Sequence, residues 1–182
     1  QAQPSIKAFE AALDVAGTDP EVSRANIGLA EGMRILDRFD DGFAALDRAE
    51  AAATRMNEKL DLARVHYLRG NYFFPFGKID ECLSEHEKAL RYAREVGSAE
   101  AEARALGGLG DANYMRGRMI TAHGYFDDCI NLARQHGFTR IEVSNIYMRG
   151  NTLQFRNRLE AALEDCDVAG ALARKVGDQR AE

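Results

Sequence analysis

Small and apolar residues recur along this chain at helical spacing, and the pattern repeats without a gap at a period of about 40 residues. Gly42, Cys82, Ala122 and Ala162 form one column, Leu46, His86, Phe126 and Cys166 a second, and Ala49, Ala89, Cys129 and Ala169 a third. Within a period these columns lie four and three residues apart, the spacing of one face of an amphipathic helix. Ala30, Gly70, Gly110 and Gly150 mark a matching face on the helix before. A helix-interior glycine costs roughly 1 kcal/mol against alanine, so its recurrence calls for tight helix–helix contact. Another column, Gly17, Gly97, Gly137 and Gly177 with Asn57 in the missing step, punctuates the helices. Glycine and asparagine share it because both tolerate the left-handed backbone that ends a helix. Each period therefore divides into two helices, and a fixed period in this range means stacked supersecondary units.

The local signals agree with that division. Asp19-Pro20-Glu21 reads as a cap, a first-turn proline and an acidic residue in order. Thr139 with Glu142, and Asn157 with Glu160, fit the capping-box spacing. Arg94, Arg134 and Arg174 fall in last turns, where cations suit the helix dipole. Pro75 falls where a first helix should still be running, and is expected to push Phe74 out of the helical region. The run Tyr72-Phe73-Phe74-Pro75-Phe76 reads as an anchor for a partner or, preferably, as a plug at a wide joint.

The expected organisation is one solenoid: a half unit at 5–17, then full units at about 18–57, 58–97, 98–137 and 138–177. Asp178–Glu182 align with the start of a further first helix. Neither end shows an obvious polar cap and the first residue is Gln1, so a longer parent continuing in both directions is expected. Val168, Leu172 and Val176 should then lie bare on the last helix, and self-association through the truncated ends is expected.

The columns carry a family resemblance. Leu109-Gly110, Gly117, Ala122, Phe126 and Cys129 resemble the tetratricopeptide repeat signature at its internal offsets. The same offsets give Gly70, Gly77, Cys82, His86 and Ala89 in the unit before, and Gly150, Asn157, Ala162, Cys166 and Ala169 in the unit after. The signature's tryptophan is absent, and its proline between repeats appears only as Pro20. HEAT and armadillo repeats have periods of about 40–47 residues but lack this glycine–alanine pattern. The resemblance implies an all-α, right-handed superhelical solenoid of antiparallel helix pairs. More narrowly, Arg69–Gly77, Ala101–Ala112 and Gly117–His123 look like the repeat tails of large bacterial signalling proteins that carry a class III adenylate/guanylate cyclase domain and an ATPase module. The chain has no phosphate-binding glycine loop and no recognisable cyclase aspartates, so the likeness implies a regulatory scaffold.

Composition narrows the function. A net charge of −5, evenly spread, argues against nucleic acid as the partner. The apolar runs fall well short of the roughly 20 residues of a membrane span, and a cytoplasmic location is expected. Three cysteines, Cys82, Cys129 and Cys166, have no metal-ligand spacing and should be reduced and mostly buried, each on a second helix. His66, His86, His123 and His136 lack a second ligand one turn away and read as structural. Asp127-Asp128, Glu164-Asp165, Glu100 and Glu102 read as solvated surface, with no nucleophile beside them. No cofactor and no catalysis are expected.

The surface that invites a function is the inner, concave wall, lined in such stacks by first helices. Projecting the register gives Arg24, Arg64, Arg104 and Ser144 in one column and Glu31, Asn71, Asp111 and Asn151 in another. Ile27, Tyr67, Tyr147, Phe74, Tyr114, Met115 and Phe155 are interleaved. Arginines pair carboxylates, asparagines bond peptide backbones and aromatics give rigid contact area. The partner-binding candidates are Arg24, Arg64, Tyr67, Asn71, Phe74, Arg104, Asp111, Tyr114, Tyr147 and Asn151, facing a peptide or partner domain. The competing reading is packing, with the arginines paired to nearby glutamates and the aromatics filling gaps. A further alternative is a sensory domain whose arginine column binds a small anion and regulates an attached cyclase or ATPase.

Overall fold

The computed structural model describes residues 2–177. Through them run nine α-helices: α1 (Ala2–Val15), α2 (Asp19–Ile35), α3 (Phe39–Met56), α4 (Lys59–Phe73), α5 (Ile79–Glu95), α6 (Ala99–Met115), α7 (Met119–His136), α8 (Thr139–Phe155) and α9 (Leu159–Val176). α2 packs on α3, α4 on α5, α6 on α7 and α8 on α9, and α1 packs on α2. No strand occurs among the described residues. No helix among them is long and apolar enough to cross a membrane. The chain divides into two compact units, Gln1–Gly97 and Ser98–Glu182, at an expected repeat boundary.

In the first unit, Ile6, Ile27, Leu29, Met33, Leu46, Val65, Leu68 and Tyr72 form the core, with Phe9, Phe39 and Phe43 packed on it. Small residues admit large ones. Gly28 lies under the Phe9 ring, Gly42 under Tyr72, and a Cβ at Gly70 would meet the His86 ring at 2.6 Å. The Tyr72 hydroxyl donates to the Ala30 carbonyl at 2.6 Å. In the second unit, Ile130, Ile146 and Ala169 cluster with Leu172, and Gly110 lies under Phe126. The glycine column is thus a seat for the bulky residue on the second helix of the same pair.

This arrangement sets the outcome for Gly110→Leu. A Cβ there already collides with the Phe126 ring, which is fully buried. Overpacking should cost about 1–3 kcal/mol, read by urea denaturation. A variant that unfolds at the wild-type midpoint would show that α6 and α7 do not touch there.

Turns follow the second glycine column with one exception. Asn57, Gly97, Gly137 and Gly177 are left-handed, with φ of 53°, 65°, 74° and 66°. Gly17 is not; its amide instead donates to the Glu21 carboxylate at 3.0 Å as part of the cap of α2. Within the pairs, Asp37, Gly77, Gly117 and Asn157 supply the same left-handed turn.

The caps differ from expectation in register. Thr18, not Asp19, caps α2, and Glu21 reaches back to the Thr18 amide at 3.1 Å. Thr139 and Asn157 are not N-caps: Phe138 and Arg158 hold those places. Glu142 is drawn away to Arg134 at 2.9 Å, and Asn157 is already committed to the left-handed turn. Pro75 does not expel Phe74 from helical space; Phe74 keeps φ −57° and ψ −49°, and Phe74–Phe76 tightens into a 3₁₀ turn. The plug reading holds for its neighbours, since Phe76 meets Phe39 at 5.0 Å and Phe73 meets Phe43 at 5.2 Å.

Two burial expectations are corrected. Cys82 and Cys129 are buried, but Cys166 is exposed, because no described helix follows α9 to cover its far side. Leu172 is not bare; it packs on the Ile130–Ile146 cluster. Val168 is exposed as expected, together with Leu159 and Leu163, while the Val176 side chain and Asp178–Glu182 lie outside the described residues.

Candidate partner-binding faces

Each unit carries five of the ten candidates, on its own first helices except for Phe74, which opens the 3₁₀ turn after α4. In the first unit α2 and α4 pack side by side, joined where the Ser23 hydroxyl donates to Asp61 at 2.9 Å. Arg24 follows Ser23 in sequence, Arg64 stands three residues after Asp61, and both arginines are exposed. Arg64 lies 3.6 Å from the buried Asp61 carboxylate, whereas Arg24 makes no ion pair or hydrogen bond among the described residues. Tyr67 leans on the His86 ring at 5.7 Å, and Asn71 and Phe74 are half-buried.

In the second unit α6 and α8 pair in the same way. A Cβ at Gly107 would meet the Asn145 side chain at 2.7 Å, and the Tyr114 and Phe155 rings meet edge-on at 5.8 Å. Between these two contacts lie Asp111 on α6 and Asn151 on α8, with Tyr147 exposed on the α8 surface. Arg104 is paired to Glu100 at 2.9 Å. The packing reading therefore accounts for Arg64 and Arg104 in part, and for Tyr114 through its contact with Phe155, although Phe155 itself is 66% exposed. It does not account for Asp111. That side chain has no hydrogen bond or ion pair among the described residues, and burial pushes its pKa up to about 7. By surface area the residue is only half-buried, but the carboxyl group itself is closely surrounded, and that governs its charge.

A second feature was missed by the sequence reading. Arg149 on α8 donates two bonds to Asp165 on α9, at 2.9 and 2.6 Å, and one to Asp127 on α7 at 2.6 Å. Asp165 is buried, against the expectation that it is solvated. In the first unit Arg69 on α4 holds Asp47 and Glu50 on α3 at 2.8 and 2.6 Å, with Glu85 on α5 at 3.8 Å. Asp47, Arg69 and Glu85 stand two full periods before Asp127, Arg149 and Asp165, so the clamp is written into two repeats. The intervening repeat has Leu109 in the arginine's place. His66 joins the first clamp, its Nδ1 donating to Glu85 at 2.7 Å while its ring stacks on Tyr92. Burial opposes ionisation of Glu85, but bonds from His66 and Lys88 outweigh it and hold its pKa at about 2. Among the described residues no group of His, Cys, Asp and Glu could hold a metal ion.

Residues 61–135 match the tetratricopeptide repeat family. None of the curated proteins matches the chain by sequence. Among solved structures, aspartyl phosphate phosphatase F from Bacillus subtilis superposes with a TM-score of 0.83 at 15% identity, over 96% of this chain and 46% of that one. A Rap protein complexed with Competence and Sporulation Factor superposes with a TM-score of 0.88 at 17% identity, over 97% and 50%. A STAND ATPase with a tetratricopeptide repeat sensor from Pyrococcus horikoshii gives 0.78 at 17% identity, over 98% and 28%. The chain thus spans half or less of each, and at these identities the likeness is one of fold: an all-α helical-repeat solenoid.

Proposed function

We propose that this chain of tetratricopeptide repeats is a non-catalytic interaction module, the regulatory part of a larger bacterial signalling protein, that holds a peptide or a partner domain against its first helices. The observation that carries this reading is the unpaired, desolvated carboxyl of Asp111 on α6, the helix that carries Tyr114 and packs on α8 with Tyr147 and Phe155. A buried carboxyl without a partner is costly unless it stays neutral or a ligand supplies a donor. Peptide amides and basic side chains supply such donors, and aromatic rings favour cations and flat groups. Asn151 offers both a donor and an acceptor for a peptide backbone. The Rap protein's complex and the sensor role named for the STAND protein's repeats support the same class of role here. A cytoplasmic location and a protein partner rather than nucleic acid belong to the proposal, consistent with the net charge of −5.

The test is a basic peptide panel titrated calorimetrically at about pH 6 and pH 8. Below its pKa of about 7 the ionised fraction of Asp111 falls about tenfold per pH unit. Binding should strengthen toward pH 8, and Asp111→Asn should abolish that pH dependence while keeping the helical content. Binding that is unchanged by Asp111→Asn and by Tyr147→Ala would move the partner off the α6–α8 face.

The small-anion alternative is favoured at one place only. Of the three arginines in the candidate set, Arg64 and Arg104 pair with carboxylates, and Arg24 makes no ion pair among the described residues.

A further inference from the structure

A cavity of about 360 Å³ opens between α1 and α2 in the first unit. It is lined by Phe9, Ala12, Val15 and Ala25 among apolar residues, and by Glu21 and Arg24. Phe9 helps fix its shape, because its ring is seated against Gly28, in the space that the missing side chain leaves. Val15 and Ala12 are exposed, so the opening faces solvent.

The two charged residues are not equivalent. The Glu21 carboxylate is occupied: it accepts from the amides of Gly17 and Thr18 and from the Thr18 hydroxyl, at 3.0, 3.1 and 2.9 Å. Those bonds hold its pKa below the ordinary range, the Thr18 hydroxyl contributing most. Arg24 has no partner among the described residues. The cavity therefore presents an apolar lining and one uncommitted cation. Its volume of about 360 Å³ sits at the small end of ligand pockets, roughly 300–1,000 Å³. A peptide strand would need backbone donors and acceptors along its path, and the apolar lining supplies none.

We propose that this cavity is a binding site for a small aliphatic carboxylate, its chain lying between Phe9, Val15 and Ala25 and its head paired with Arg24. The guanidinium offers two parallel donors to a carboxylate, a geometry that a lysine ammonium does not reproduce. Burial of the chain supplies the affinity and the arginine supplies the selection for charge. The site lies wholly in the first unit and does not depend on the α6–α8 face, so either can fail without the other.

Sodium octanoate, octanol and octylammonium, titrated into the full chain at neutral pH and followed by calorimetry, test the assignment. Octanoate should bind at least about tenfold more tightly than the other two, the worth of one charge-assisted contact. Arg24→Ala should remove that preference. Ala12→Phe, at an exposed lining position, should block binding with the circular dichroism spectrum unchanged. Equal binding of octanoate and octanol, retention of the preference in Arg24→Ala, or no octanoate binding would overturn the proposal. So would binding of a peptide with an apolar free C-terminus where octanoate does not bind.

Discussion

Replacing His86 with phenylalanine removes an acid sensitivity worth about 3 kcal/mol from the folded chain. His86 is fully buried on Gly70, and its Nδ1 has no hydrogen-bond partner among the described residues. Burial drives its pKa down to about 4, against a smaller opposing pull from the Glu85 charge. A base whose folded pKa lies below its unfolded value gives stability that is complete above about pH 6.5 and lost as pH falls toward 4. About 2.5 pH units of difference corresponds to roughly 3 kcal/mol. Phenylalanine is the natural replacement, because Phe126 occupies the same column on Gly110. It should also stabilise the chain at neutral pH by relieving an orphaned nitrogen, worth about 1–3 kcal/mol.

Two other groups titrate nearby in pH and must be kept apart. Glu85, held at about 2, loses its contribution between about pH 4.5 and 2, below the His86 window. Asp111, raised from 3.8 to about 7, acts with the opposite sign: its neutral form favours the fold, and that contribution is full below about pH 4 and lost as pH rises through 7. Both are present in wild type and in His86→Phe, so the difference between the two pH profiles isolates the imidazole. Urea denaturation at about pH 7, 5.5 and 4 reads it. Profiles that run parallel would mean that His86 is hydrated or partnered in solution.

The parts of this fold that were legible in the sequence are those set by local chemistry and strict period. The four pairs, the turn residues Asn57, Gly97 and Gly137 and the seats at Gly70 and Gly110 all follow from columns whose members stand one period apart. Where two neighbours have similar chemistry, the register slipped by one: Thr18 and Asp19 are both good caps, and only the geometry of Glu21 chooses between them. Long-range polar contacts were not legible. Arg149 and Asp127 are 22 residues apart, and Arg149 and Asp165 are 16, so they meet only once helices pair. A signal existed nonetheless, in the recurrence of the three charges two periods along the chain. On the candidate faces, Glu31, Asn71, Asp111 and Asn151 share a column, and residue type could not tell which would be desolvated. Pairing of Arg64 and Arg104 with Asp61 and Glu100 is a local matter of one helical turn, and it was foreseeable as the competing reading.

Arg149→Ala is the most damaging single change expected in the second unit. It leaves Asp165, 8% exposed, with its carboxylate stripped of both arginine bonds, and Asp127 without its partner. Removing one side of a buried ion pair costs about 3–5 kcal/mol. The lower end applies here, because the Asp127 side chain is 47% exposed and can turn to water. Burial lowers and the two carboxylates raise the Arg149 pKa, the Asp165 bond contributing most to the rise, so the pair stays charged in the fold. Arg149→Met would keep the packing of the stem and lose only the charge; it should remain as unstable as alanine if the stranded Asp165 is the cause. Adding Asp165→Asn to either variant should then restore most of the loss, since the buried charge is gone. The clamp also fixes the roll of α8, which carries Tyr147 and Asn151 two residues to either side of Arg149. Peptide binding on that face should therefore weaken in Arg149→Ala even where the chain is still folded, and recover with Asp165→Asn. An Arg149→Ala variant within about 0.5 kcal/mol of wild type, the ordinary range of surface substitutions, would show that the three charges are independently solvated and that packing alone holds α7, α8 and α9 together.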